Sequence, residues 1–110
     1  MRMLFQGDSI TDCGRDRING RPNIALGDGY VSLIAAKLLY EKRNDKVEIY
    51  NRGLSGNRIV DLYARWKIDC LNLKPDIISI LIGVNDTWHE KKSRNSKWVE
   101  VARYEKYILI

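Results

Sequence analysis

The stretch DIISILI at residues 76–82 is almost unbroken in apolar, β-branched side chains. A strand with one wet face alternates apolar and polar residues, so this run reads as a parallel strand inside a sheet, covered by helices on both faces. The rest of the chain agrees. Met3 to Phe5 is a short apolar strand opening into Gln6-Gly7, and Val47-Glu48-Ile49-Tyr50 forms a second. Between them Asp28 is placed to cap a helix with Val31, Ile34, Ala35, Leu38 and Leu39 on its buried stripe and Ser32, Lys37 and Glu41 toward water. A second helix carries Ile59, Leu62, Tyr63, Trp66 and Cys70 on one face until Lys74-Pro75 stops it. A third is expected after KKSRNSK, with Trp98, Val101, Ala102, Ile108 and Leu109 inward. The order β-loop-α-β-α-β-α predicts an α/β fold with right-handed crossovers and a three-layer parallel sheet.

At 110 residues the chain has room for one domain with one modest core. The net charge of +5 is spread along the whole chain, without the dense basic stripe of a nucleic-acid binder. Cys13 and Cys70 have neither CxxC spacing nor a matching histidine cluster, which predicts free thiols and no metal site. The apolar run in MRMLFQGD is too short for a signal peptide and no stretch reaches membrane-spanning length, so a cytoplasmic protein without a membrane partner is expected.

In open parallel sheets ligands collect at the carboxyl ends of the strands. Three polar motifs fall at that edge: GDSIT after the first strand, NRGLSGNR after the second and GVND after the third. Acyl transfer by a serine needs an exposed nucleophile, a base to take its proton and donors for the oxyanion. Gly7-Asp8-Ser9 offers a serine on a tight turn. Gly56 offers a backbone amide with no side chain in the way, and the Asn85 side-chain amide is a neutral donor at the same edge. Asp12 and Arg15 either pair with each other or line the mouth, and the structural role is favoured. Trp66 and Trp98 lie on apolar helical faces and read as core. Trp88 differs by its place in the loop after GVND, which leaves contact with a sugar ring open as an alternative reading.

GDSIT, Asn51-x-Gly53-x-x-Gly56 and Gly83-x-Asn85-Asp86 together resemble the first three blocks of the SGNH, or GDSL-type, hydrolase family, in order and over essentially the whole chain. The strings GDSITDCGR, GYVSLIAAKL, LKPDIIS and IGVNDTW are most similar to its carbohydrate acetylesterase branch, which includes acetyl-xylan esterases. The resemblance implies a flavodoxin-like sheet in the order 2-1-3-4-5 and no cofactor. It implies Ser9 as nucleophile, with the Ser9 and Gly56 amides and the Asn85 side chain as oxyanion hole. Asp8 and Asp86 fall at the positions that brace the serine loop and the Asn85 turn.

The family's last block, a DxxH motif that supplies the base and its orienting carboxylate, is missing here. The sole histidine, His89, follows the Asn85 motif, on the side of the oxyanion hole away from the family's base, with only Asp86 or Glu90 near enough to orient it. A surface or substrate-contacting histidine is therefore the favoured reading of His89. The expectation is a single SGNH hydrolase domain over 1–110, truncated after strand 3, whose apolar third strand is an open edge through which chains self-associate. As a family member it would be a serine esterase that removes acetyl groups from a carbohydrate through an acyl-enzyme. An inactive, ligand-binding remnant and a lipase- or thioesterase-type acylhydrolase stay open as alternatives. A nucleotide binder is disfavoured because the first loop lacks a phosphate-cradling glycine run.

Overall fold

The computed structural model describes residues 1–87. The third helix expected from the sequence, with Trp98, Val101, Ala102, Ile108 and Leu109, falls outside them.

Three strands, β1 (Arg2–Gly7), β2 (Glu48–Asn51) and β3 (Ile77–Leu81), form one parallel sheet in the order β2-β1-β3. In register, Met3 faces Ile49 on β2 and Ile77 on β3. Side chains alternate across a strand, and β1 uses both faces. Met3 and Phe5 point to one layer, where α2 (Tyr30–Glu41) packs Val31 and Ala35 with Leu26, Val47 and Ile49. Each side chain fully buried there contributes roughly 1.5–3 kcal/mol if Val, Leu, Ile or Phe. Gln6 points to the opposite layer, where its amide donates to the Asp69 carbonyl at 2.6 Å. That layer holds α3 (Ile59–Ala64), α4 (Trp66–Asp69) and a 3-10 turn at Leu71–Leu73. Ile59 and Leu62 are buried there against Trp66 and Ile82, the core role expected of Trp66.

Several details depart from the sequence expectation. Gly29, not Asp28, is the N-cap of α2. The Asp28 amide is tied to the Cys13 carbonyl at 2.8 Å, and a Cβ at Gly29 would stand 3.0 Å from the Cys13 Cβ, so the chain enters the helix one residue late. Ile34 is 38% exposed rather than buried, because α2 meets the sheet along Val31 and Ala35. The single helix expected over 59–70 is broken at Arg65, where the backbone leaves helical geometry, and Tyr63 turns out to solvent.

The two sheet edges differ. Loop residue Asn23 lies along the outer side of β2: its amide N–H donates to the Ile49 carbonyl at 2.9 Å, its side chain donates to the Val47 carbonyl at 3.0 Å, and its side-chain oxygen accepts from the Ile49 amide at 2.7 Å. β2 is thereby blunted as an edge. Among the described residues β3 pairs with β1 alone, and Ile77, Ile78, Ile80 and Leu81 are 39–46% exposed. Among the described residues, then, the strand with the composition of a sheet centre has one neighbour. No helix among the described residues is long and apolar enough to cross a membrane.

Candidate active site

The three strands run parallel, so Gly7, Asn51 and Leu81 end at one edge of the sheet and the three polar motifs follow there. After Gly7 the chain turns at once into α1 (Ser9–Asp12), a single helical turn with Ser9 exposed at its start. Asp8 is buried, and its carboxylate caps that turn by accepting from the Ile10 amide at 3.0 Å. The tightness of the turn requires a glycine before it. A Cβ at Gly7 would stand 2.4 Å from both the Leu81 carbonyl oxygen and the Thr11 hydroxyl. Among the described residues neither the Ser9 hydroxyl nor its amide N–H has a hydrogen-bond partner.

The loop after β2 is bolted to this turn. The Leu54 amide donates to the Gly7 carbonyl at 3.0 Å. Buried Asn51 donates to the Thr11 and Leu26 carbonyls at 2.7 and 2.8 Å and accepts from the Gly53 amide at 2.9 Å. Arg15 donates through Nε to the Gly53 carbonyl at 2.6 Å. Gly56 sits beyond these ties at φ +86 with open space around its Cα and an amide N–H unpaired among the described residues. Only glycine holds that backbone without strain.

The third motif meets the second. Asn85 Nδ2 donates to the Asn57 carbonyl at 3.0 Å, which uses one of its two amide protons and leaves the other unpaired among the described residues. Asp86 is buried and accepts from the Ile59 amide at 3.2 and 3.3 Å, holding the start of α3 against the turn. Burial pushes the Asp86 carboxyl above its ordinary value, against the Ile59 bond.

Two residues matter more than the sequence suggests. Asp12 does not pair with Arg15. Its carboxylate binds Arg17 and accepts from the Ser55 amide at 3.0 Å and the Ser55 hydroxyl at 3.1 Å. Burial works against its charge, and these donors more than offset that, holding its pKa below the ordinary value. Arg65 reaches under the site from the break between α3 and α4. Its guanidinium donates to Asn57 Oδ1 at 2.7 Å, the Arg52 carbonyl at 2.8 Å, Gln6 Oε1 at 2.9 Å and the Gly7 carbonyl at 3.2 Å, and it pairs with Asp69 at 3.3 Å. Spacing does carry a signal for it: Arg65 follows Ile59 and Leu62 at the next step of a buried stripe, where a cation needs partners.

The structure thus brings Ser9, Gly56 and Asn85 to one edge and seats Asp8 and Asp86 beneath two of them. Trp88 and His89 lie outside the described residues. Among the described residues no group of three His, Cys, Asp or Glu side chains is arranged to hold a metal ion.

Residues 5–108 match the model of the GDSL-like lipase/acylhydrolase family. The chain is 46% identical over 90 residues to an acetylxylan esterase from Geobacillus stearothermophilus, a match that covers 81% of this chain and 41% of that protein. A crystal structure of a Geobacillus stearothermophilus acetylxylan esterase superposes with a TM-score of 0.91 at 41% identity, over 97% of this chain and 50% of that one. A GDSL-like lipase from Parabacteroides merdae superposes at 0.88 with 50% identity, over 97% of this chain and 49% of that one. The chain spans about half the length of these relatives. Catalytic mutants of the Geobacillus esterase replace a serine, an aspartate or a histidine by alanine.

Proposed function

The chain belongs to the GDSL-like lipase/acylhydrolase family, and from that premise we propose that it carries the nucleophile and the oxyanion donors of a serine esterase that deacetylates a carbohydrate. The observation that carries the reading is the Ser9 hydroxyl, unpaired among the described residues, at the same sheet edge as three N–H donors, on Ser9, Gly56 and Asn85, that are likewise free among them. In this reading Ser9 Oγ attacks the acetyl carbonyl carbon and gives its proton to a base. The three donors hold the negative oxygen of the tetrahedral intermediate. The sugar oxygen leaves with the proton, and water then releases acetate from Ser9 by the same steps. Asp8 and Asp86 act through the turns they brace. The Geobacillus relative suggests the carbohydrate ester, and Trp88 is a candidate contact for its sugar ring.

No histidine lies in residues 1–87, so the base comes from elsewhere. The catalytic aspartate and histidine mutants of the Geobacillus esterase favour a histidine oriented by a carboxylate, as the triad logic requires. A second reading, a ligand-binding chain without turnover, is favoured by one observation: Ser9 Oγ meets no base among the described residues.

Hydrolysis of 4-nitrophenyl acetate by the parent, Ser9→Ala and His89→Ala chains decides between them, with intact mass fixing the chain length. Turnover that depends on Ser9 and survives His89→Ala supports the esterase with its base lent by another chain. Loss in both variants makes His89 the base. A parent no faster than Ser9→Ala leaves the binding reading.

A further inference from the structure

Asp12 is 0% exposed, and the position of its carboxylate does not follow from packing alone. Desolvation of a buried carboxylate is costly, and an apolar or amide side chain would fill the same space at less cost. Three donors, the Arg17 guanidinium and the Ser55 amide and hydroxyl, all converge on Oδ2, while Oδ1 is buried with no partner among the described residues. The Ser55 amide bond ties the residue immediately before Gly56, while on its other side the Asn57 carbonyl accepts from Asn85 at 3.0 Å. Upstream, Asn51 and Arg15 fix the loop at Gly53 and the Leu54 amide is tied to the Gly7 carbonyl, and Gly56 itself makes no hydrogen bond among the described residues. Asp12 also closes the helical turn that Ser9 opens, with its amide donating to the Asp8 carbonyl at 2.8 Å. One side chain therefore joins the nucleophile's turn to the residue preceding the glycine donor.

We propose that Asp12 is a positioning residue that sets the Gly56 amide relative to Ser9 by holding the Ser55 amide, with Arg17 as its counter-ion from the adjoining loop. This rests on the esterase reading for the role of Gly56, but its geometry is testable without turnover. The loop's rigid placement matters because oxyanion donors act only when aimed in advance at the developing charge.

Amide hydrogen exchange of the full chain, followed by NMR, tests it. In the parent, Ser55 exchanges at least about tenfold more slowly than Gly56 once intrinsic rates are divided out, since one amide is bonded to a carboxylate and the other is free. Asp12→Ala accelerates Ser55 by about ten- to a hundredfold while Leu4 and Ile49 in the strands keep the parent rates. Asp12→Asn, whose side-chain carbonyl still accepts, restores slow exchange at Ser55 relative to the alanine variant. Equal protection of Ser55 and Gly56 in the parent overturns the proposal, as does an Asp12→Ala variant in which Ser55 keeps its rate or every amide accelerates alike. The parent comparison stands even where Asp12→Ala does not fold. A protected Ser55 released by Asp12→Ala in a chain without turnover upholds the positioning role while the esterase reading falls. An unprotected Ser55 in a chain that turns over overturns the positioning role alone.

Discussion

The Asn85 side-chain amide donates to the Asn57 carbonyl oxygen at 3.0 Å, so the turn after β3 is pinned to the loop after β2 at the edge that carries Ser9. A carboxamide has two N–H groups, and the bond to Asn57 fixes the plane in which the second projects. In the esterase reading, a second N–H positioned in this way needs no reorganisation when negative charge develops on a substrate oxygen.

Asn85→Ala is expected to lower Ser9-dependent hydrolysis of 4-nitrophenyl acetate by about 10²–10³-fold in kcat, the loss typical of one oxyanion donor. KM changes little, because the donor is used in the transition state rather than in the ground state. Steady-state kinetics of the two chains checks this, and a loss confined to KM would assign Asn85 to substrate binding instead.

Arg65→Lys is expected to destabilise the fold by about 2–4 kcal/mol, although the charge is kept. The guanidinium serves Asn57, Arg52, Gln6 and Gly7 through a planar fork of donors, and an ammonium on a flexible stem cannot reach them all. The midpoint of urea denaturation measures the loss, and an unchanged midpoint would reduce Arg65 to a surface cation.

The glycines of the site separate steric from conformational cost. Gly7→Ala puts a Cβ 2.4 Å from the Leu81 carbonyl, which is backbone and cannot swing away, so β3 must shift and the loss exceeds about 3 kcal/mol. Gly56→Ala meets nothing within 4 Å and bears only the strain of φ +86, about 1–2 kcal/mol. Thermal denaturation of the two variants should rank them in that order; equal losses would mean that the Gly56 loop is packed in solution.

The sheet and the three motifs were legible because they rest on local signals: apolar runs mark the strands, and glycine with polar residues marks their ends. The Ser9 turn and the GVND turn lie where the sequence puts them. The ties between loops were less legible, because nothing in the spacing of Asp12, Arg15 and Arg17 says which of them reaches Ser55 and which reaches Gly53. Arg65 shows a different limit. Helical periodicity runs smoothly through residues 59–70, yet the demands of Gly7, Gln6, Arg52 and Asn57 on one guanidinium coincide with the break in the helix. Tertiary bonding overrode local propensity there.

Two of the site's buried aspartates, Asp12 and Asp86, give opposite dependences on pH. Asp12 is held below its ordinary pKa, so the unfolded chain takes up its proton first, and the stability it supplies is complete above about pH 4 and lost as pH falls through the native value. Asp86 is raised by burial, so its ionisation opposes folding. That cost is absent below about pH 4 and complete once pH exceeds the raised native value. At pH 7 Asp12→Asn should therefore lose stability, by about 1.5–3 kcal/mol for hydrogen bonds to a charged acceptor, and the gap to the parent should narrow below pH 4. Asp86→Asn keeps a carbonyl for the Ile59 amide and sheds the buried charge. It should be more stable than the parent at pH 7, with the advantage vanishing below pH 4. Urea denaturation of the three chains between pH 3 and 8 checks both signs. A destabilised Asp86→Asn at neutral pH would mean that the Asp86 charge holds the start of α3 more strongly than burial opposes it, and would make that charge, as proposed for the one on Asp12, part of what keeps the loop around Gly56 in place.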